Sequence, residues 1–334
     1  MKCKILICCL IVLYIPAFLN AQSNPFQFSR LDINNGLSHN QVNCVYKDDK
    51  GFMWFGTLSG LNKYDGYKIK TFKHASNDTT TLDDDYIVSI TPGPENKLWI
   101  ETRMGFNIYD PTTEKFTRNY KDFLYKIKLY DPYIAAIKSD RFGDFWFLHH
   151  NKNQGIYKYD PKTTLLTNLV HKDNDGSSIF SNMVTDLSVD SKKGIWLVSN
   201  TGVLERLDPV TYKVNYRKVL GDLPPGLSSS YKIYIDRQDD IWVFVPSYSS
   251  GVFYLNMQKG IFKHIGKGPA GIGLNTDVVS DLAEDDQNRM WIATDHGGIN
   301  LLDKQTFRLS YMLNREDDNK TVGQNSVTCV YKDY

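Results

Sequence analysis

The fold is decided by a stretch of 19 residues, 285–303, which reads DDQNRMWIATDHGGINLLD. Its first five residues are polar and typical of a turn, and Met290–Thr294 is a short apolar run. Asp295–Gly298 contains two glycines, which can take the positive φ values that a tight reversal needs. Ile299–Asp303 is a second apolar run. The stretch therefore predicts a turn, a strand, a hairpin turn and a second strand.

Versions of this unit recur around every tryptophan of the chain. The six tryptophans are Trp54, Trp99, Trp146, Trp196, Trp242 and Trp291. They are 45, 47, 50, 46 and 49 residues apart. A period of this size with strand and turn chemistry is typical of propeller blades. We predict an all-β fold, a β-propeller of four-stranded antiparallel blades with six full repeats and the start of a seventh.

Aspartates and glycines repeat in register with the tryptophans. An aspartate precedes the tryptophan by six residues in five units, at Asp48, Asp140, Asp190, Asp236 and Asp285. Unit two has Gly93 at this position. We predict structural roles: tryptophan fills the space between stacked sheets, aspartate caps a turn and glycine forms the hairpin.

The repeats also predict where the units begin and end. They cover about residues 40–75, 84–120, 131–170, 181–219, 229–265 and 276–312. A seventh unit opens at 325–333, where Asp333 matches Asp48, so we expect a seven-bladed propeller over 26–334 that is truncated within its last blade. Phe28–Leu31 is predicted to be a fourth strand that closes the ring by pairing with this blade. Lys121–Tyr130 is the one segment whose pattern leaves helix or strand open.

The N-terminus predicts export of the chain. Lys2 and Lys4 precede an apolar run from Ile5 to Leu19, and Ala21 is a small residue at a plausible cleavage point, so residues 1–21 are predicted to be a signal peptide. The apolar run is shorter than the roughly 20 residues that cross a bilayer, although an uncleaved anchor is the alternative. We therefore expect an exported protein.

Charge and cysteine content limit the classes of function that the chain can have. Without Lys2 and Lys4 the chain has 37 basic and 38 acidic residues, which argues against broad electrostatic attraction to nucleic acid. Of five cysteines, Cys44 and Cys329 remain after the leader, and two cysteines do not make a disulfide framework.

No motif for catalysis, metal binding or a cofactor is present in the sequence. It contains no CxxC, HExxH or GxSxG pattern. The loops between second and third strands differ among units and should share one face of a propeller. We predict ligand binding, with no catalytic or metal role, by Arg103, His149, His150, Asn151, Tyr248, Asp295 and His296. Arginine, histidine and tyrosine suit sugar hydroxyls through directional hydrogen bonds and ring stacking; the alternative is that these loop residues simply face water.

Residues 28–40, 54–65 and 291–303 resemble the two-component regulator propeller repeat, as found in the sensor region of Bacteroidetes hybrid two-component systems. The resemblance implies a periplasmic sensor with two seven-bladed propellers and a β-sandwich, followed by a membrane helix, a histidine kinase, a receiver and a DNA-binding domain. It implies glycan sensing that controls polysaccharide-utilisation genes. The implied partners are a glycan or oligosaccharide, the rest of the ectodomain and a second copy of the receptor.

Neither a kinase sequence nor a DNA-binding sequence is present in residues 1–334. We therefore expect this chain to be a sensor and not an enzyme. The alternative is a propeller enzyme that acts on polysaccharide, as a lyase or a glycosidase. A propeller that serves only protein interaction is a third reading.

Overall fold

The computed structural model describes residues 26–149, 152–221, 230–246, 248–318 and 320–333. The predicted signal peptide lies outside the described residues. Within them, the chain forms six four-stranded sheets, and each sheet uses four strands that are consecutive in sequence and paired antiparallel. The first strands of blades one and two, two and three, and four and five lie side by side. The prediction of an all-β propeller with six four-stranded blades is confirmed.

The strands fall within the units that the repeats predicted. Blades one and two are β1 (Val42–Lys47), β2 (Met53–Thr57), β3 (Gly60–Tyr64), β4 (Ile69–Phe72) and β5 (Ile87–Gly93), β6 (Lys97–Thr102), β7 (Gly105–Asp110), β8 (Lys115–Thr117). Blades three and four are β9 (Ile134–Ser139), β10 (Phe145–His149), β11 (Ile156–Asp160), β12 (Leu165–Leu169) and β13 (Val184–Val189), β14 (Ile195–Ser199), β15 (Val203–Leu207), β16 (Val214–Val219). Blades five and six are β17 (Lys232–Ile235), β18 (Ile241–Phe244), β19 (Val252–Asn256), β20 (Ile261–Ile265) and β21 (Val279–Glu284), β22 (Arg289–Thr294), β23 (Ile299–Asp303), β24 (Leu309–Met312).

The apolar core lies between the blades, and each tryptophan is on a second strand facing the next blade. Trp196 of blade four, for example, packs against Ile233 and Val243 of blade five. Five tryptophans are buried, each at most 1% exposed. Trp291 of blade six is only partly buried, because no further sheet covers it in the described residues. The ring of Phe26 lies 4.9 Å from it, and Phe28 and Val327 belong to the same apolar cluster.

The aspartate that precedes the tryptophan has two roles, which explains its fixed spacing. In all five units that carry it, one carboxylate oxygen accepts a hydrogen bond from the indole N–H at 2.8–3.1 Å. The other oxygen accepts backbone amides of the turn; in blade four Asp190 takes those of Lys192 and Gly194 at 3.0 and 2.6 Å. The predicted turn-capping role is confirmed, and the bond to Trp196 adds a link between the turn and the core.

Blade two departs from this pattern in a coordinated way. A Cβ at Gly93 would lie 2.0 Å from Cδ1 of Trp99, so the indole occupies the space of the missing side chain. The connection from blade two to blade three forms helix α1 (Lys121–Lys126). The segment Lys121–Tyr130, whose pattern leaves helix or strand open, therefore begins as a helix. Its Leu124 is fully buried, and the ring of Phe123 lies 5.6 Å from that of Trp99. The helix therefore fills the space between blades two and three. Two short 3-10 helices, Ile33–Asn35 and Pro94–Asn96, complete the elements of the described chain.

The prediction of a strand at Phe28–Leu31 is wrong. These residues form no strand, and neither do residues 325–333. A fourth strand needs a third strand for its ladder of hydrogen bonds, and no described segment of this sector supplies one. Phe28 nevertheless lies in the same apolar cluster as Val327, beside Leu301 and Met312 of blade six. No helix among the described residues is long and apolar enough to cross a membrane.

Candidate functional site

Loops between second and third strands meet the blade-to-blade connections at one face of the ring, here called the loop face. Backbone hydrogen bonds join the two kinds of loop, from Gly60 to Asp85, from Gly251 to Asp277 and from Asp295 to Val278. The five predicted ligand-binding positions that the structure describes fall at second-strand ends or in these loops.

Buried polar side chains on third strands hold the loop face in place. Asn62, Asn107 and Asn300 are fully buried, and their side-chain oxygens accept the backbone N–H of Ser38, Asp83 and Asn275 at 3.0, 3.1 and 2.8 Å. In blade four Glu205 accepts the N–H of Phe180 at 2.8 Å. Sequence reasoning missed these residues. The repeated Gly-x-Asn pattern at 60–62, 105–107 and 298–300 is the signal that could have found them.

Arg103 projects from the loop face but is held in one place. Its Nη2 lies 2.9 Å from a carboxylate oxygen of Asp84, and its guanidinium carbon lies 5.1 Å from the centre of the Tyr86 ring. Burial alone would raise the pKa of Asp84, but the Tyr86 N–H and Arg103 outweigh it and hold this pKa below its usual value. The guanidinium side chain remains 64% exposed, so its other donors face solvent.

His149 lies beneath the surface and not on it. It ends β10 with a fully buried side chain. Its Nδ1 is 3.9 Å from a carboxylate oxygen of Asp131, and its ring centre is 5.1 Å from that of Tyr157. His150 and Asn151 lie outside the described residues.

The other three predicted residues belong to blades five and six. Tyr248 is half-buried against the core cluster of Trp196. His296 is 85% exposed, and its Nδ1 lies 2.9 Å from a carboxylate oxygen of Asp295. A hydrogen bond with Ser326, helped by His296, lowers the pKa of Asp295. The structure thus brings together Asp295 and His296, while Arg103, His149 and Tyr248 have their partners near their own blades.

A ring of charged side chains surrounds the central axis, one from each of blades two to six. They are Glu101, Lys138, Asp186, Lys232 and Asp281, and their signs alternate around the ring. Nζ of Lys138 lies 2.8 Å from Asp186 Oδ1, and Asp186 Oδ2 accepts the backbone N–H of Ile233 at 3.0 Å. The first strands are therefore linked by charge as well as by apolar packing.

Burial shifts the acid–base behaviour of this ring. It raises the pKa of Asp281 to about 6, against the opposing effect of the Val330 and Leu282 amides and of the two lysines. The Asp186 carboxylate raises the pKa of Lys232. Repulsion from Lys138 and burial together lower it by more, so the pKa of Lys232 lies below its usual value. Asp186 itself, although buried, is kept below its usual pKa by Lys138 and Lys232.

Thiols and metal-binding groups offer no further chemistry in the described ranges. Cys44 and Cys329 are free, and burial raises the pKa of both, to about 12 for Cys329. They are therefore neutral at pH 7. No cluster of three or more histidine, cysteine, aspartate or glutamate side chains within the described residues is placed to hold a metal ion.

The sequence matches a known repeat family at two places. Residues 36–59 and 273–296 match the two-component regulator propeller family. Each match runs from a blade-to-blade connection through the first two strands of a blade, which includes the aspartate and the tryptophan. Blades one and six of this propeller are therefore similar to the two-component regulator propeller repeat. Over 64 residues it is 36% identical to histidine kinase P4 of Formosa agariphila, which corresponds to 19% of this chain and 5% of the kinase.

Solved ectodomains of Bacteroides thetaiotaomicron have the same fold. The extracellular domain of BT3049, named as a hybrid two component system, superposes with a TM-score of 0.67 at 24% identity, over 92% of this chain and 39% of that one. The extracellular domain of BT4673 gives 0.64 at 17% identity, over 92% and 37%. The chain therefore spans about two fifths of the solved ectodomains that it matches.

Proposed function

We propose that this chain is the ligand-sensing propeller of a periplasmic receptor region that belongs to a hybrid two-component histidine kinase. The match of two units to the two-component regulator propeller family carries the proposal. The similarity to part of a histidine kinase supports it. In this proposal the rest of the ectodomain, the kinase and a second receptor copy act together with the propeller, which itself catalyses nothing.

The proposed ligand is a glycan fragment bound at the loop face, and its binding would control genes for polysaccharide use. Support comes from side chains that are both exposed and fixed, such as Arg103 on Asp84 and His296 on Asp295. A ligand acts on a receptor only through unequal affinity for its two states. A sensor that works in this way binds its ligand without converting it, so the proposal predicts binding without turnover.

A panel of oligosaccharides tests this function on the purified protein. Calorimetric titration should give saturable binding of at least one oligosaccharide, and chromatography after long incubation should return that oligosaccharide unchanged. Cleavage products would identify the alternative, a lyase or glycosidase. Absence of binding across the panel would count against glycan sensing.

We further propose that residues 326–332 occupy the place of the inner strand of a seventh blade. Their contacts with the neighbouring blades copy those of other first strands, position for position. Asp281 of blade six accepts the N–H of Val330 at 3.0 Å, as Asp186 of blade four accepts that of Ile233. Thr328 donates its hydroxyl to the carbonyl of Val42 at 2.6 Å, and the side chain of Asn43 likewise donates to the first residue of β5.

Unfilled space on both sides of this segment supports a seventh sector. A cavity of about 270 Å³ separates it from blade six and is lined by Trp291 and Val330. A second cavity of about 800 Å³ reaches blade one and is lined by Val42, Val45 and Phe55. In complete blade pairs, a tryptophan-bearing second strand fills this kind of space, as Trp196 does against blade five.

Adding the missing strands tests the seventh sector. A copy of residues 286–303, appended after Asp333 so that its tryptophan follows Asp333 by six residues, should supply a second and a third strand, raise the melting temperature and bury Trp291. The same residues in scrambled order are the control. Equal melting of the two extended proteins would contradict the seventh sector and leave the sensor function untouched.

A further inference from the structure

Tyr133 and Met104 form an exposed surface over blades two and three that the predicted ligand-binding residues did not include. Tyr133 is 69% exposed and Met104 is 73% exposed. Met104 follows Arg103 in the loop between β6 and β7, and Tyr133 directly precedes β9. Large side chains that face water on a ligand-facing surface call for an explanation, because their exposure has an energetic cost.

The chain next to both residues packs against one partly buried side chain, Tyr120. The hydroxyl of Tyr120 donates to the carbonyl of Pro132, next to Tyr133, at 3.0 Å. A Cβ at Gly105, next to Met104, would lie 3.6 Å from Cε1 of Tyr120. Burial chiefly, and the Tyr133 phenol to a lesser degree, raises the pKa of Tyr120.

The Tyr120 support is rigid. The ring of Tyr120 lies 5.6 Å from that of Phe106 and 6.1 Å from that of Trp99, in the core between blades two and three. The backbone N–H of Tyr133 donates to a side-chain oxygen of Asp131 at 3.0 Å, and a proline precedes Tyr133. Ligand binding would therefore cost little ordering of this loop, and preorganisation of this kind raises affinity.

We propose that Tyr133, Met104 and Arg103 form a sugar-binding surface on which an uncharged oligosaccharide stacks one ring against Tyr133. This inference rests on the proposed glycan-sensing function and deepens it. A phenol ring offers an apolar face to the C–H groups of a sugar and a hydroxyl to its polar edge. Arg103, fixed by Asp84, has donors left for sugar hydroxyls.

The local charge favours a neutral ligand over an acidic one. Asp84 balances Arg103, with the guanidinium and carboxylate groups 2.9 Å apart. Asp131 adds a second carboxylate immediately before Pro132 and Tyr133. An acidic sugar would meet these two carboxylates at a surface with one arginine, so it would gain little attraction.

The test is calorimetric titration of the purified protein with neutral oligosaccharides, beside acidic ones of equal length. Tyr133→Ala should weaken the binding of the neutral ligand by about tenfold or more, which corresponds to the loss of one stacked ring. Tyr133→Phe should restore most of it. Tyr67→Ala is the matched control, because Tyr67 is 93% exposed in the turn between β3 and β4, at the opposite end of those strands from the loop face.

Each outcome separates this inference from the proposed function. Neutral-ligand binding that Tyr133→Ala leaves unchanged would overturn the sugar surface, while glycan sensing would stand. Preference for the acidic ligand would overturn the assignment of ligand class. If no saccharide binds, the proposed function fails and this inference with it. Self-association that Tyr133→Ala abolishes in sedimentation, without any saccharide binding, would make the surface a protein interface and overturn the sugar assignment.

Discussion

Replacing Lys304 by methionine should destabilise the contact between blades five and six more than any replacement of a surface lysine. The Lys304 ammonium lies 2.6 Å from Asp236 Oδ2 in blade five and 2.6 Å from Glu284 Oε1 in blade six. The three side chains are 2%, 0% and 2% exposed, so water cannot take the place of the lysine. Lys304→Met keeps the apolar stem and leaves two buried carboxylates facing each other.

The expected loss follows from the partners that remain. Breaking a buried ion pair by removing one side costs roughly 3–5 kcal/mol. Asp236 keeps the Trp242 indole at 2.9 Å, and Glu284 keeps the backbone N–H of Arg237 at 2.8 Å, so we expect the lower end of this range. With an unfolding entropy of about 2.1 cal/mol/K per residue over about 310 residues, a loss of about 3 kcal/mol lowers the Tm by about 5 °C.

Scanning calorimetry at pH 7 and pH 5 measures this loss. The deficit should be smaller at pH 5, because the two carboxylates left without the lysine share a proton more readily as the pH falls. Lys304→Met combined with Glu284→Gln should recover part of the Tm. Lys126→Met, which removes an exposed partner of Glu95, is the control and should leave the Tm unchanged. A Lys304→Met protein that melts at or above the wild type at pH 7 would refute the reasoning.

Three further outcomes are expected. The folded pKa of Asp281 is about 6, above the unfolded value of about 3.9, so its ionised form costs stability at pH 7 and this cost disappears as the pH falls from about 6 to 4. Asp281→Asn should therefore melt higher than the wild type at pH 7 and show a smaller gain in that pH range. Trp291 is the least buried tryptophan, so acrylamide should quench it most, and Trp291→Phe should remove the quenchable component of the fluorescence. Gly93→Ala should lose about 1–3 kcal/mol through its clash with Trp99, whereas Gly176→Ala, with no heavy atom within 4 Å of the added Cβ, should not; equal melting of the two would contradict the clash.

The fold was predictable because each structural need repeats. A tryptophan has to fill the space against the next sheet, and an aspartate six residues earlier has to accept its indole N–H and the turn amides. The spacing between Asp48 and Trp54, or between Asp285 and Trp291, is therefore set by geometry that every blade shares. Because the pattern recurs within one chain, a single sequence shows which positions are structurally constrained, which usually takes a comparison of many sequences.

Features that occur only once could not be predicted in this way. Lys304 follows the Leu302-Asp303 pair at a position where units two to four have proline, and its sequence context reads as an exposed turn. Its partners Asp236 and Glu284 belong to different blades, so their meeting depends on the packing of two sheets. His149 could not be placed correctly either. A histidine at a strand end predicted a ligand-binding side chain on the surface, but the connection before blade three, which includes Asp131, covers it.

The charge ring explains why the sector between blades six and one differs from the others. From blade two to blade six each charged side chain has an opposite charge on a neighbouring blade, as Lys138 has Asp186. Cys329 and Cys44 stand at the positions equivalent to Asp281, and burial keeps both thiols neutral. On the side of blade six this sector is held by the apolar cluster that includes Phe28 and Val327 and by the bond from the Val330 N–H to Asp281. On the side of blade one it is held by the Thr328 hydroxyl bond and by ion pairs that involve exposed carboxylates, such as Lys47 with Asp333. Pairs of that kind contribute about 1 kcal/mol or less. In the described residues this sector therefore lacks a buried charge pair like the one that joins blades three and four, and its ion pairs are of the exposed, weak kind.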